Sequence, residues 1–182
     1  MSKPKGKPVS GSAVEMVEVV LPNDANPLGN LLGGRVMHLI DIAGAIAAHR
    51  HARSQVVTVA VDSVDFLYPI RVGELVILCA QITRAFRTSL EAEVRVYRED
   101  YLTGARQQTS SAFVTYVAVD QAGRPTDVPP IIPTTADEKR RYREALARRR
   151  QRLVSAARAH RRYFEASPSR TQPRAIPRGV RT

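Results

Sequence analysis

Hydrophobic and polar positions change period four times along the chain. Residues 14–20, "VEMVEVV", alternate loosely and stop at Leu21-Pro22, which predicts a first strand and a turn. From Gly33 to Ala52, "GGRVMHLIDIAGAIAAHRHA" carries Val36, Met37, Leu39, Ile40, Ile42, Ala43, Ile46 and Ala47, apolar on nearly every side of a helix. Such a helix is buried on most of its faces. After Ser54 the period becomes two: "QVVTVAVDSVDFLYPI", "ELVILCAQITRAF", "TSLEAEVRVYRE" and "RQQTSSAFVTYVAVD" read as four strands rich in β-branched residues. The short connectors at Arg84–Thr88 and Asp100–Ala105 make them antiparallel neighbours, and the proline-rich strap "QAGRPTDVPPIIP" ends the sheet. One strand, one buried helix and four consecutive strands predict an α+β fold, a curved antiparallel sheet wrapped around one long central helix.

Beyond the strap, Thr135 and Glu138 stand at capping-box spacing before "EKRRYREALARRRQRLVSAARAHRRYF". The expected organisation is a flexible N-terminus over 1–12, the folded domain over 13–135, a basic C-terminal helix over 136–165 and a disordered basic tail over 166–182. The helix is polar on most faces, so it is expected as a solvated element, marginal if alone.

Charge alters the picture only at the ends. The net +11 divides into +3 for residues 1–10, −5 for 11–138 and +13 for 139–182. The globular part is mildly acidic, and the basic character is a property of an appendage. That appendage lacks the interleaved aromatics of single-strand binders and any helix-turn-helix or zinc motif, so nucleic acid is not the expected partner.

Length and the 43% apolar content fit one domain with a proper core. The lone Cys79 excludes an internal disulfide and a CxxC centre, which points to a reducing compartment and a cytoplasmic location. No apolar segment follows the basic N-terminus as a signal peptide requires, and no run is long enough to span a membrane. His38, His49, His51 and His160 form no ligand pattern with acids or cysteine, so no metal is expected.

The odd residue is Asp41, between Ile40 and Ile42 in a segment otherwise made for burial. A carboxylate there must be hydrogen-bonded, at an interface or lining a cavity, since burying it alone is costly. A structural aspartate satisfied by neighbouring backbone or hydroxyls is one reading. The other comes from spacing: Gly34 and Asp41 are seven residues apart, about two helical turns and ~10 Å on one face. Glycines at a helix start leave N–H groups uncovered for an anion or a carbonyl gaining charge. With the amide of Asn26 nearby in sequence, these are parts that could add water to a carbonyl.

Through "NPLGNLLGGRVMHLIDIAGAIAAHRH", "VVTVAVDSVDFLYPIRVGELV", "TSLEAEV", "SAFVTYVAVDQAGRPTDVP" and "DEKRRYREA", the chain resembles the hotdog-fold acyl-CoA thioesterases, in the acyl-CoA hydrolase branch. The resemblance implies a hotdog fold, an acyl-CoA substrate and hydrolysis of its thioester to a carboxylic acid and CoA. It implies no cofactor, coenzyme A being part of the substrate. It also implies a homo-oligomer, a dimer at least and often a trimer of dimers. In the family pattern an asparagine or glutamine stands fifteen positions before the catalytic acid and an oxyanion-hole glycine eight before it. Asn26 and Gly33 hold those positions relative to Asp41, with Asp41 supplied by the partner protomer. Thr58 matches a hydroxyl position used to hold the water or the acid. Gly34, Arg87 and Ser89 are the residues expected to touch substrate or its CoA moiety. Leu32 departs from the histidine many relatives carry before the glycine pair.

Two other functions remain open at this point. Hydratases of this fold use an Asp-x-Asn-Pro-Leu-His loop; Asp24, Asn26, Pro27 and Leu28 match, but residue 29 is glycine and the proton-transfer pair is broken. The alternative to an enzyme is a non-catalytic acyl-CoA sensor whose basic tail grips nucleic acid.

Overall fold

The computed structural model describes residues 5–62 and 64–165; the tail expected to be disordered over 166–182 lies outside the described residues. The elements are β1 (Lys7–Pro8), β2 (Val14–Val19), α1 (Gly33–Ala52), β3 (Gln55–Val61), β4 (Leu75–Ala85), β5 (Ser89–Glu99), β6 (Arg106–Val119), β7 (Ile131–Ile132) and α2 (Ala136–Glu165). Five strands form one antiparallel sheet in the order β2-β4-β5-β6-β3, so β2 and β3 are its edges. α1 touches every strand of that sheet, which is the hotdog arrangement.

Alternation along the strands makes the core. Leu90, Ala92, Val94 and Val96 of β5, with Ala112, Val114 and Tyr116 of β6, face α1 and are buried against Leu39, Ile40, Ala43 and Ala47. Each large aliphatic buried this way contributes about 1.5–3 kcal/mol. α1 ends where Arg53 takes a left-handed conformation (φ 56°) and its N–H bonds the His49 carbonyl at 2.9 Å. A cation then occupies one of the open carbonyls near its C-terminus: Lys7 Nζ donates to the His51 carbonyl at 2.6 Å.

Three expectations need correction. The N-terminus is not a flexible arm from residue 5 onward: β1 pairs parallel with β7, and Val9 and Ser12 of the following 3-10 turn are buried. Two-residue strands leave no periodicity to read. α1 is less enclosed than expected, because Gly33, Gly34, Met37 and His38 form an open side. The basic helix α2 does start with the reciprocal capping box, Glu138 N–H to Thr135 Oγ1 at 3.1 Å and Thr135 N–H to Glu138 Oε2 at 3.1 Å. It is not, however, merely solvated. It lies on the outer sheet face, where Arg148 bonds the fully buried Glu91 at 2.7 Å, Arg141 pairs with Glu93, and Arg152 bridges Asp62 (2.8 Å) and Glu91 (3.2 Å). Arg148 also stacks on the Phe113 ring at 3.6 Å. A helix with almost no apolar face is held by acids that the sheet presents outward.

Candidate active site

The loop from Asp24 to Leu32 is a closed turn built around one side chain. Asn26 Oδ1 accepts from the N–H groups of Leu28 (3.0 Å) and Asn30 (3.2 Å), which leaves its amide NH₂ as the group free to face a ligand. Gly29 holds φ +74°, a left-handed conformation that a histidine would adopt only under strain, so the hydratase pattern fails here on backbone grounds as well. Asp24 is occupied by Arg35, 3.3 Å away, as a structural partner. Further bonds from Leu32 N–H to the Asp24 carbonyl (2.9 Å) and from Leu31 N–H to the Ile70 carbonyl (2.8 Å) fix where α1 begins.

Gly33 is the first residue of that helix, preceded by Leu32, which offers no side-chain cap. Its N–H and that of Gly34 have no intrahelical acceptor by geometry, and the first bonds back to the Leu32 carbonyl come from Arg35 and Val36. Asn26, Gly33, Val36, Phe66, Tyr68 and Ser110 are among the residues lining a cavity of about 380 Å³. The Phe66 ring covers the position a Gly33 Cβ would take, at 3.6 Å, so the ring walls the exposed N–H groups.

Asp41 lies elsewhere. Eight helical residues carry it ~12 Å along α1 from Gly33, and it is not part of that cavity. Its Oδ1 accepts from Thr58 Oγ1 at 2.7 Å. The Tyr116 hydroxyl donates to the Asp41 backbone carbonyl at 3.0 Å and reaches Oδ1 at 3.5 Å. Thr58 and Tyr116 are direct cross-strand partners in β3 and β6, so a single pair of opposed residues grips the acid from the sheet. Among the described residues Oδ2 has no hydrogen bond and is the oxygen available to water. Burial, and then the Asp41 charge, push the Tyr116 phenol well above its ordinary value, so it stays a donor. Its approach to the helix requires Gly44: a Cβ there would overlap the Tyr116 hydroxyl and stand 3.2 Å from the ring carbon that bears it.

The sequence-expected residues thus fall into two groups within one protomer. Asn26, Gly33 and Gly34 gather at the helix start, while Asp41 and Thr58 meet at its middle. Ser89 is buried under α2 and accepts from Arg149 Nη1 at 3.0 Å, whereas Arg87 is exposed and paired with Asp127 at 3.5 Å. Tyr116, Gly44 and Phe66 do not stand out in the sequence. Only a tyrosine at a core position four residues beyond Ala112 hints at a buried hydroxyl needing a partner. Among the described residues no group of three or more His, Cys, Asp or Glu could hold a metal ion, and no helix is long and apolar enough to cross a membrane.

Residues 28–105 match the family model described as thioesterase superfamily. The chain is 36% identical over 152 residues to the uncharacterized acyl-CoA thioester hydrolase YkhA of Bacillus subtilis, spanning 84% of this chain and 88% of that one. The chain belongs to the thioesterase superfamily. Among solved structures, this thioesterase-superfamily chain superposes with a TM-score of 0.83 on an acyl-CoA hydrolase from Staphylococcus aureus crystallised with butyryl-CoA, CoA and CoA disulfide, at 32% identity over 88% of this chain and 98% of that one. Variants of that hydrolase with an asparagine, an aspartate or a threonine changed to alanine have also been solved, and the three positions are spaced by fifteen and seventeen residues. Asn26, Asp41 and Thr58 have the same spacing. A hexameric acyl-CoA thioesterase is 43% identical, with a TM-score of 0.81, over 84% of this chain and 98% of that one. The chain spans only 39% of the length of the rat cytosolic acyl coenzyme A thioester hydrolase, to which it is 35% identical.

Proposed function

We propose that this protein is a cytoplasmic acyl-CoA thioesterase whose active site is completed between two protomers. The observation that carries this reading is the division of the candidate residues: a helix start with bare N–H donors and an amide on one side, and a hydroxyl-held carboxylate on the other. β3, which holds Thr58, is an unpaired sheet edge with Val57, Val59 and Val61 about half exposed, and Phe66, Leu67 and Met37 add apolar surface nearby. A patch of that kind marks an association surface. Two-fold pairing across this edge supports bringing Asp41 of one chain toward Asn26 and Gly33 of the other. A trimer of such dimers is the larger assembly proposed.

In this site water held by Asp41 Oδ2 attacks the thioester carbonyl carbon, and its proton passes to the carboxylate. Thr58, donating to Oδ1, keeps Oδ2 turned toward the water. The carbonyl oxygen becomes an oxyanion facing the Gly33 N–H at the positive end of α1; one such donor typically contributes about 3–4 kcal/mol to the transition state. Asn26 Nδ2 orients the carbonyl or the water. Collapse breaks the C–S bond, the proton on Asp41 returns to the leaving thiolate, and a carboxylic acid and CoA are released. Attack by Asp41 itself, through an anhydride, uses the same groups. Free-thiol release from a short-to-long acyl-CoA panel tests the function. Asp41→Asn is expected to keep the oligomer and lose at least ~10²-fold in kcat; a variant as active as wild type would sink the assignment.

A further inference from the structure

The cavity that begins at the helix start of α1 holds a polar group that the proposed hydrolysis does not use. Ser110 lines it together with Asn26, Gly33, Val36 and Phe66. The residue is 2% exposed, and its Oγ has no hydrogen-bond partner among the described residues. A buried hydroxyl without a partner is uncommon in a folded chain.

The sheet accounts for its position. Val96 of β5 pairs with Ser110 of β6 and Tyr97 pairs with Gln108, so Thr109 is an extra residue and β6 bulges there. Bulges re-aim side chains and recur beside active sites. Ser110 shares the inner sheet face with its partner Val96 and with Ala112 two residues on, positions where apolar side chains otherwise meet α1. Thr109 is spent on the fold: its Oγ1 donates to the Val96 carbonyl at 3.3 Å, and its carbonyl accepts from the Leu67 N–H at 2.9 Å. That second bond ties the Phe66–Pro69 wall of the cavity to the bulge. The Ser110 hydroxyl has no such duty. It turns among three staggered rotamers, so it reaches an oxygen in the cavity without any movement of the backbone.

With the thioester oxygen at the Gly33 N–H, the CoA and acyl parts of the substrate leave the carbonyl carbon in two directions. The charged nucleotide of CoA must run toward solvent. The end walled by Leu31, Val36 and Ile70, which are 9%, 4% and 4% exposed, is therefore the acyl end. A plain hydrocarbon chain there leaves the Ser110 hydroxyl desolvated and unpaired, whereas a chain that carries its own oxygen satisfies it. We propose that Ser110 is a specificity-determining residue that favours acyl groups bearing a hydroxyl or keto oxygen over hydrocarbon acyl groups of the same length. This substrate class rests on the thioesterase reading of the same site.

The test compares kcat/KM for 3-hydroxyhexanoyl-CoA and 6-hydroxyhexanoyl-CoA, with the oxygen near to and far from the thioester, each divided by the value for hexanoyl-CoA. In the wild type at least one ratio exceeds unity. Ser110→Ala is expected to lower that ratio by about ten-fold, while Ser110→Thr, which keeps the hydroxyl, retains it. Wild-type ratios at or below unity overturn the inference. So do ratios unchanged in Ser110→Ala, including the case in which all three substrates slow together, as a merely structural serine would make them; the thioesterase reading then stands. Calorimetric affinities of the non-hydrolysable thioethers S-hexyl-CoA, S-(3-hydroxyhexyl)-CoA and S-(6-hydroxyhexyl)-CoA repeat the comparison without turnover. A chain inactive on every thioester that still binds a hydroxylated thioether more tightly, and loses that preference in Ser110→Ala, would overturn the thioesterase reading alone.

Discussion

Replacing Gly44 by alanine tests whether the grip on Asp41 is as tight as the packing indicates. In an ordinary helix interior this substitution stabilises by about 1 kcal/mol, because alanine loses less backbone freedom. Here the new Cβ would overlap the Tyr116 hydroxyl and stand 3.2 Å from Cζ and 3.3 Å from Cε2. Overpacking of that order costs about 1–3 kcal/mol. If the ring retreats, its hydrogen bond to the Asp41 carbonyl goes too, about 0.5–1.5 kcal/mol more. Against the helical gain the net is a destabilisation of about 1–3 kcal/mol, or a urea midpoint lower by about 1 M for a slope near 2 kcal/mol per M. Wild type, Gly44→Ala and Gly34→Ala are compared by urea unfolding at one protein concentration, since association adds to apparent stability. Gly34, where an added methyl would meet nothing within 4 Å, is the control and is expected to be neutral or stabilised. A Gly44→Ala midpoint equal to or above wild type would refute the claim that Tyr116 is held against α1 by close approach.

The outer face makes a separate prediction. Glu91→Ala leaves Arg148 and Arg152 beside a vacated, fully buried position and is expected to cost about 3–5 kcal/mol; a melting temperature within a degree or two of wild type would contradict the clamp. His51 gives a pH dependence. Its Nε2–H donates to the Pro129 carbonyl at 2.8 Å, and burial, outweighing that bond, pushes its pKa down, with Lys7 adding to the effect. The unfolded chain therefore binds the proton more readily. The contribution of neutral His51 is fully present above about pH 6.5 and is lost as pH falls below that value through the lowered folded pKa. Melting temperature should drop on acidification below about pH 6.5, and His51→Gln should flatten that slope; an unchanged slope would show that other groups carry it.

The fold is legible in the sequence where one face of an element is buried and the other is not. Period-two alternation in β4, β5 and β6 and the apolar run of α1 are direct imprints of that asymmetry, and the capping box marks the start of α2. β1 and β7 are not legible, being too short to have a period. Nor is the docking of α2, because Arg141, Arg148 and Arg152 are indistinguishable in sequence from solvated arginines until Glu91, Glu93 and Asp62 are placed under them. At the site, Asp41 is conspicuous as an acid among isoleucines, and resemblance places Asn26, Gly33 and Thr58 beside it. Tyr116 and Gly44 stay hidden, since a tyrosine in a strand and a glycine in an alanine-rich helix each look ordinary until they meet. Arg87 and Ser89 share one turn in sequence but opposite environments in space, exposed and buried, which spacing alone does not distinguish.

The central claim is that Asp41 works with Asn26 and Gly33 of a second chain. Co-expression of Asp41→Asn and Asn26→Ala, each carrying a different affinity tag, tests it through thiol release by the pure variants and by the mixture. In a two-fold dimer each mixed pair rebuilds one intact site and places both lesions in the other. With random pairing, the mixture should recover about one quarter of wild-type activity while each pure variant remains nearly inactive. A mixture no more active than the two pure variants, with mixed pairs demonstrably present, would contradict the shared site.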